Sequence, residues 1–561
     1  MELLSLYYTL YYTMKKVIRL VALLLLFKCA ATGKTHLPAI NPGRADSVVF
    51  PSGGRVLNYR IAGFTFPPVE HVKKYTIKIA EGICHSDTEF EQHLILSLTS
   101  RTNKVVAEMP FWGRDYTWRV ESTDKKKKIT QSPFYHFATL LNSALDTNYS
   151  RLSVRKKADE YKDAFVFLDT SRILYDMSGN AVWYLPDIDR MHIENSRVRD
   201  LKMTQQGTIT FIIAHEEHGA AYEVDYDGNI LWKSSGFYDH ELTKLKNGHY
   251  MVSGCSTEQL EWRYFSPADS GLYIASSDGD TTLKYTTEKH SKGSFGKLLE
   301  LDSRGVVVWS WNEADYYKGK DVRNHVESDE ISGKDTIEEH QNSFCFDEKN
   351  NFLYVSYRNT NSILKVKYPS GEVVAVYDGN LGQGSKSEQE IPTFCWQHSC
   401  RLTDDGHICL FNNNRCNKDS LPQILVLDDT VYPDGSFNIL WKYDCPMKKK
   451  KGDHPNGGNV MQLPDHAFFV SMCAPYSRLF ILSEDDKQEL WEAHYQKYNK
   501  TKGIFEPSAV YYRASIIGNR DELEKLIWNS SPYPHAIMGQ PLYSKKTDRL
   551  KPPTSLFRRR R

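Results

Sequence analysis

Long helices are nearly absent from this chain. Only NRDELEKLIW (519–528) carries a clear helical pattern, which points away from a helical architecture. The apolar run VALLLLF (21–27) is too short to span a bilayer, for which about 20 residues are needed. Neither charge dominates. The 71 Lys and Arg face 70 Asp and Glu for a net charge of +1, a balance that argues against a nucleic-acid partner. Lysine runs at 125–128 and 448–451 and the terminal RRRR are short enough to be solvated loops. There is no CxxC pair, which speaks against a zinc knuckle, and no metal or other cofactor is expected.

Aromatics, by contrast, make up 12% of the chain, and six of them close a repeated unit. A strand, an acidic or polar hairpin and a strand ending in an aromatic recur six times. The copies are RILYDMSGNAVWYL (172–185), YEVDYDGNILWKS (222–234), LLELDSRGVVVWSW (298–311), ILKVKYPSGEVVAVY (363–377), ILVLDDTVYPDGSFNILWKY (424–443) and RLFILSEDDKQELWEA (478–493). Apolar and polar residues alternate on both sides of each turn, as in a half-buried antiparallel hairpin. The closing aromatics are Trp183, Trp232, Trp309, Tyr377, Trp441 and Trp491. Further strands lie between the hairpins, giving roughly 60 residues per unit, enough for four strands and their loops. The pattern predicts an all-β chain with a six-bladed β-propeller over 160–520 and a C-terminal extension over 521–561. Residues 45–145 lack the repeat but alternate in VLNYRIAG, KKYTIKIA, HLILSLTS and NKVVAEMPF, which fits a small N-terminal β-sandwich. The Lys-rich stretch 124–128 and the segment to about 160 read as the connection between the two.

Three of the intervening strands open on a histidine. His240 and His398 each lie eight residues ahead of a turn glycine, Gly248 and Gly406. His340 lies eleven ahead of Asn351, the matching turn position of a hairpin three residues longer. Inner strands of propeller blades face one central axis, so the three imidazoles are expected in one pocket. Asn342, two residues beyond His340, shares its strand face. Arg358, at the end of the partner strand, returns to the same channel mouth. Trp396 and Tyr238, each two residues ahead of a key histidine, suit either stacking on an aromatic substrate or packing in the core.

Lys15, Lys16 and Arg19 precede the apolar run, so 1–33 reads as a secretory targeting segment, with Met14 as an alternative start. Export to a periplasm or cell envelope follows. Cys29 stands where a lipid-anchored cysteine would. Ten cysteines in an exported chain invite disulfides. Cys395 and Cys400 flank His398, with Cys409 and Cys416 beyond it, and their pairing stays open, as does a homodimer.

The motifs DHELTKLKNGH (239–249), HQNS with SYRN (340–343, 356–359), FCWQHSCRLTDDGHICLFNN (394–413) and VYYRAS (510–515) together resemble the bacterial arylsulfate sulfotransferases over roughly 160–520. The resemblance implies a secreted six-bladed propeller with an N-terminal β-sandwich. It implies transfer of a sulfuryl group from a phenolic sulfate to a phenol without a nucleotide sulfate donor. His398 then resembles the transiently sulfated nucleophile, and His240, His340, Asn342 and Arg358 the groups that hold the sulfate. Asp239 departs from the pattern, since many members carry another histidine there. The residue types suit such chemistry. Sulfuryl transfer spreads charge over equatorial oxygens and needs preplaced donors. Arg358 can offer a planar bidentate fork, and a neutral imidazole is a nucleophile at neutral pH. A second, protonated histidine would serve the leaving phenolate, and Asp239 and Glu241 beside His240 are expected to raise its pKa toward that role. A noncatalytic envelope propeller binding glycans or proteins, or a propeller polysaccharide lyase, also fits the fold. Neither accounts for the gathered polar groups. A formylglycine sulfatase would need a Cys/Ser-x-Pro-x-Arg motif, which the chain lacks.

Overall fold

The computed structural model describes residues 48–530 apart from 189, 216, 257–261, 265–288, 292, 318–325, 330–333, 339, 382–391, 418–420, 448–455, 474 and 509–510. The targeting segment, Cys29, the lysines at 448–451 and the extension beyond residue 530 lie outside the described residues.

Strands dominate, and among the described residues six sheets each contain a run of four antiparallel strands. In five of the six hairpins the turn is closed by its own aspartate, and in the fourth Ser370 Oγ accepts from Glu372 N instead. Asp176 Oδ1 accepts from the N–H groups of Ser178 and Asn180, and Asp302 Oδ1 from those of Arg304 and Val306. Gly179 and Gly305 take the left-handed φ of 88° and 76° that these turns require.

The closing aromatics tie each sheet to the next. Trp183 Nε1 donates to Tyr226 O, Trp232 Nε1 to Asp302 O, Trp309 Nε1 to Pro369 O, Tyr377 Oη to Asp429 O and Trp441 Nε1 to Glu484 O. Trp491 Nε1, in the sixth sheet, donates to Met177 O in the first. An aromatic that buries its body needs a partner for its polar hydrogen, and here that partner is always the neighbouring hairpin. The six sheets therefore follow one another in cyclic order.

One edge strand of each sheet lies on the inside of this cycle: Arg197–Met203, Tyr238–Lys244, Gln341–Asp347, His398–Leu402, Asn459–Gln462 and Ala514–Ile517. The last of these comes from the far end of the chain and pairs antiparallel with Phe165–Leu168 of the first sheet. Side chains lock the inner strands together. Leu242 N donates to Asp200 Oδ2, Cys400 N to Ser343 Oγ, Val460 N to Ser399 Oγ, Ala514 N to Asn459 Oδ1 and Ser515 Oγ to Leu201 O.

N-terminal to these sheets lies a six-stranded sheet built on Val72–Glu81 and Asp115–Asp124, and a ribbon of Ile61–Thr65 with Lys104–Glu108. Phe64, Ile77 and Trp118 from this region share one core with Trp183 and Tyr222 of the first two repeats and with Leu526 of the helix Arg520–Trp528. Lys125–Lys128 is the exposed turn between Asp115–Asp124 and Ile129–Gln131, not a connection. The chain leaves this region through Ser150–Lys156, which adds a strand beside Glu489–Asn499 of the sixth sheet. Cys395 and Cys416 form a disulfide, while Cys400 and Cys409 are buried free thiols.

Candidate active site

Four successive inner strands begin with the same backbone irregularity. Asp200, His240, His340 and Ser399 have φ of 54°, 71°, 58° and 57°. The strand register slips at the same level, between Arg199 and Lys202, Tyr238 and Leu242, Gln341 and Ser343, and His398 and Arg401. A left-handed conformation costs a non-glycine residue roughly 1–2 kcal/mol. Strain repeated at one level and held by the surrounding sheets singles out that level as the candidate site.

Three imidazoles meet there. The His240 and His340 rings lie 5.2 Å apart in edge-to-face contact. The Tyr512 ring contacts both His240 and His398, with ring centroids 5.5 Å from the first and 6.0 Å from the second. His398 is 1% exposed, and its Nε2 has no hydrogen-bond partner among the described residues. Its Nδ1 lies 3.0 Å from Trp396 O and 2.8 Å from Asn413 Nδ2. Asn413 Nδ2 also donates to Trp396 O and Gly457 O, at 2.9 and 3.0 Å. If those carbonyls use both amide hydrogens, His398 Nδ1 carries the proton and donates to Trp396 O, which leaves the Nε2 lone pair free.

Arg358 is buried beside this group. Its backbone N–H donates to His340 O, its Nε donates to Asn359 Oδ1, and its guanidinium lies 4.3 Å over the Trp396 ring. Arg415 lies over the same indole at 3.9 Å. Trp396 therefore serves as a seat for two guanidiniums. Asn342 is fully buried and donates from Nδ2 to Gln397 O at 2.6 Å, which ties its strand to the residue before His398. Tyr238 is not brought to the pocket. It packs in the core with Trp232, Leu242 and Tyr250, and its hydroxyl lies 3.0 Å from Ser234 Oγ.

Electrostatics correct one expectation. Burial lowers the pKa of His240 well below the ordinary histidine range. Asp239 pulls it upward, but the nearby His340, Arg199 and Arg513 add to the depression. Glu241 gives His240 no help, because its carboxylate turns to Arg401, Lys202 and Arg513. Burial also lowers His398 well below that range, with Arg358 reinforcing the shift. Both imidazoles are neutral, so His240 is not a standing acid.

Sequence reasoning passed over Arg199, Asn413, Tyr512 and Arg513. Arg199 had a signal, since it lies eight residues ahead of Gly207, at the same offset as His240 and His398 from their glycines. Among the described residues, no group of three or more His, Cys, Asp or Glu side chains is gathered as metal ligands would be.

Fold and pocket thus define an all-β protein with buried neutral imidazoles and guanidiniums gathered at the inner ends of its sheets. A family model described as arylsulfotransferase (ASST) matches residues 125–434, more than half of the chain, and the chain belongs to that family. Membership supports arylsulfotransferase activity, with an aryl sulfate donor and a phenolic acceptor. No curated protein matches the chain. Among solved structures, apo AztD from Citrobacter koseri is 8% identical, with 80% of this chain and 99% of that one covered and a TM-score of 0.29. The Cps50 (Swd1) beta-propeller domain of Myceliophteria thermophila is 9% identical, with 55% and 91% covered and a TM-score of 0.28.

Proposed function

We propose that this protein is an exported aryl-sulfate sulfotransferase working by a ping-pong mechanism through a sulfohistidine at His398, on a six-bladed propeller preceded by a small β-sandwich. Export to the periplasm or envelope is supported by Lys15, Lys16 and Arg19 ahead of the apolar run. The mechanism rests on one observation above the others: a buried, neutral His398 whose Nε2 is unpartnered among the described residues and whose Nδ1 lies 3.0 Å from Trp396 O.

In the first half-reaction the Nε2 lone pair forms the N–S bond while the S–O(aryl) bond breaks, and its electron pair leaves on the phenolate oxygen, which takes a proton from water. Arg358 and His340 donate to the sulfuryl oxygens, and Asn342 holds the His398 strand in place. In the second half-reaction the acceptor phenol gives its proton to neutral His240 and its oxygen attacks sulfur. The N–S electron pair returns to Nε2, and His240 releases its proton to water.

The test is a rapid-mixing experiment with a nitrophenyl sulfate and no acceptor. A burst of nitrophenol equal to the enzyme, with one added SO3 by intact mass, is expected, and His398→Ala should show neither. Normal turnover in the presence of phenol with no burst and no adduct would mean direct transfer between substrates.

A further inference from the structure

We propose that Arg199 and Tyr512 form a second arm of the site that binds sulfuryl oxygens, opposite in chain origin to Arg358. The proposal rests on the sulfuryl-transfer reading above and assigns two residues which that mechanism does not use.

Arg199 is the backbone counterpart of His398. Arg199 pairs with Ile212 and His398 with Phe411, and each is the last paired residue before the register slips. Each is followed by a left-handed residue, Asp200 and Ser399. The fold therefore presents the Arg199 side chain at the same level as the nucleophile. The guanidinium lies 4.3 Å over the Tyr512 ring, and that ring makes edge-to-face contacts with both His240 and His398. Asp239, where the chain departs from the resemblance, holds Arg199 through an Nε–Oδ1 contact of 3.1 Å.

The decisive feature is what these side chains do not bond. Arg199 Nη1, Tyr512 Oη and His398 Nε2 are all buried atoms with no hydrogen-bond partner among the described residues. Folded proteins leave few polar atoms in that state, since each forfeits its water without compensation. Two of the three are donors, which suit the oxygens of an anion. The third is a lone pair, which suits an electrophile. Three orphans of complementary character around one ring describe a tetrahedral oxyanion with a reactive centre. Burial pushes the Tyr512 hydroxyl up to about 12, although Arg513 and Arg199 pull it down, so it remains a protonated donor.

As the N–S bond forms at His398 and the S–O(aryl) bond breaks, the leaving electron pair goes to the phenolate. The three sulfuryl oxygens keep their charge, and Arg199 Nη1 and Tyr512 Oη donate hydrogen bonds to them. No proton is transferred from Tyr512.

The full chain carrying Tyr512→Phe or Arg199→Lys tests this. Tyr512→Phe keeps the ring and its stack and loses only the hydroxyl. Arg199→Lys keeps the charge facing Asp239 and loses the Nη1 donor. Three quantities are measured: inorganic sulfate affinity by calorimetry, the burst rate with a nitrophenyl sulfate, and the melting temperature. Each variant should bind sulfate and react about 10-fold or more less well, as loss of one hydrogen bond to a charged group implies. Tyr512→Phe should not melt lower, because the hydroxyl it removes has no partner among the described residues. Sulfate affinity and burst rate within twofold of wild type in both variants would overturn the arm, as would a wild-type protein that binds no sulfate. Wild-type sulfate binding with neither an aryl-sulfate burst nor turnover in the presence of phenol would instead refute the transfer reading, and the sulfate titration alone would then decide the arm.

Discussion

Arg513 is the residue whose loss should cost the fold most for its size. Its Nη1 donates to Asp200 Oδ1, His240 O and Glu241 Oε2 at 3.2, 2.9 and 2.9 Å, and its Nη2 to Asn342 O at 2.7 Å. It is 3% exposed. One guanidinium thus ties the closing strand to the inner strands of three other sheets. Arg513→Met keeps the length and apolar stem and removes every one of these bonds. Asp200 would retain Lys202, and Glu241 would retain Lys202 and Arg401. Burial opposes the charge on Glu241, and Arg401, Lys202 and Arg513 together hold its pKa well below the carboxylate range. Removing one partner of a buried charge pair costs about 3–5 kcal/mol. The remaining cations keep the expected loss within that range, despite two carbonyls that also lose their donor. Against a typical stability of about 5–15 kcal/mol this is a large fraction. Urea unfolding followed by tryptophan fluorescence measures it. Arg513→Lys, which restores the charge but not the fork, should recover about half. A loss below about 1 kcal/mol for Arg513→Met would refute the reasoning, since a buried ion network can be energetically neutral against an apolar replacement.

Other outcomes follow from the same geometry. His240 and His398 are held neutral in the fold, whereas they titrate near 6.5 in an unfolded chain. Their contribution is therefore complete above about pH 6.5 and is lost as pH falls below it, by up to about 2.7 kcal/mol per pH unit for the pair. Denaturant titrations on either side of that pH should show this slope, and His398→Asn should halve it; an unchanged slope would mean that His398 does not enter the fold neutral. Trp491→Phe removes the Nε1 bond to Met177 O that closes the cycle of sheets and should cost about 2–4 kcal/mol by thermal unfolding. Trp309→Phe, at a half-buried indole, should cost less, and equal losses would deny the closure any special weight. Trp396→Leu unseats Arg358 and Arg415 and should lower kcat/KM with a nitrophenyl sulfate by roughly 3–30-fold, given about 0.5–2 kcal/mol per cation–π contact; wild-type activity would show that the indole does not hold them. His240→Ala should slow the acceptor-dependent step and spare the nitrophenol burst, and the reverse pattern would return His240 to an acid role.

The repeat was legible because its parts do local work. An aspartate that closes its own turn, a glycine at positive φ and an aromatic that reaches the next hairpin leave a pattern in a few consecutive residues. The closing strand leaves none. Ala514–Ile517 is four residues long, has no hairpin of its own, and finds its partner Phe165–Leu168 across most of the chain. Tyr512 and Arg513 sit at its start, so no repeat pattern marks these two residues of the pocket. Ser150–Lys156 is hidden for the same reason, since its partner strand lies in the sixth sheet. The merging of the N-terminal sheets with the first repeats is a packing fact that alternation within any one strand cannot carry.

Within the pocket, the limit is of another kind. Residues two apart on a strand share a face only while the strand is regular. Tyr238 precedes His240 by two, yet His240 stands at φ 71° in a stretch where five residues, Tyr238 to Leu242, oppose only the three from Gly254 to Val252. The alternation breaks there, so Tyr238 falls into the core and His240 into the pocket. Adjacency misleads in the same way: Glu241 is bonded to His240 in sequence but turns its carboxylate to Arg401, Lys202 and Arg513, away from the imidazole whose pKa it was expected to raise. Equal spacing to the turn glycine likewise conceals that the left-handed residue is His240 in one strand and Ser399, one place later, in another. The irregular backbone that turns these side chains inward removes the periodicity from which their direction would be deduced, so a site built on bulges announces its residues in sequence but not their orientation.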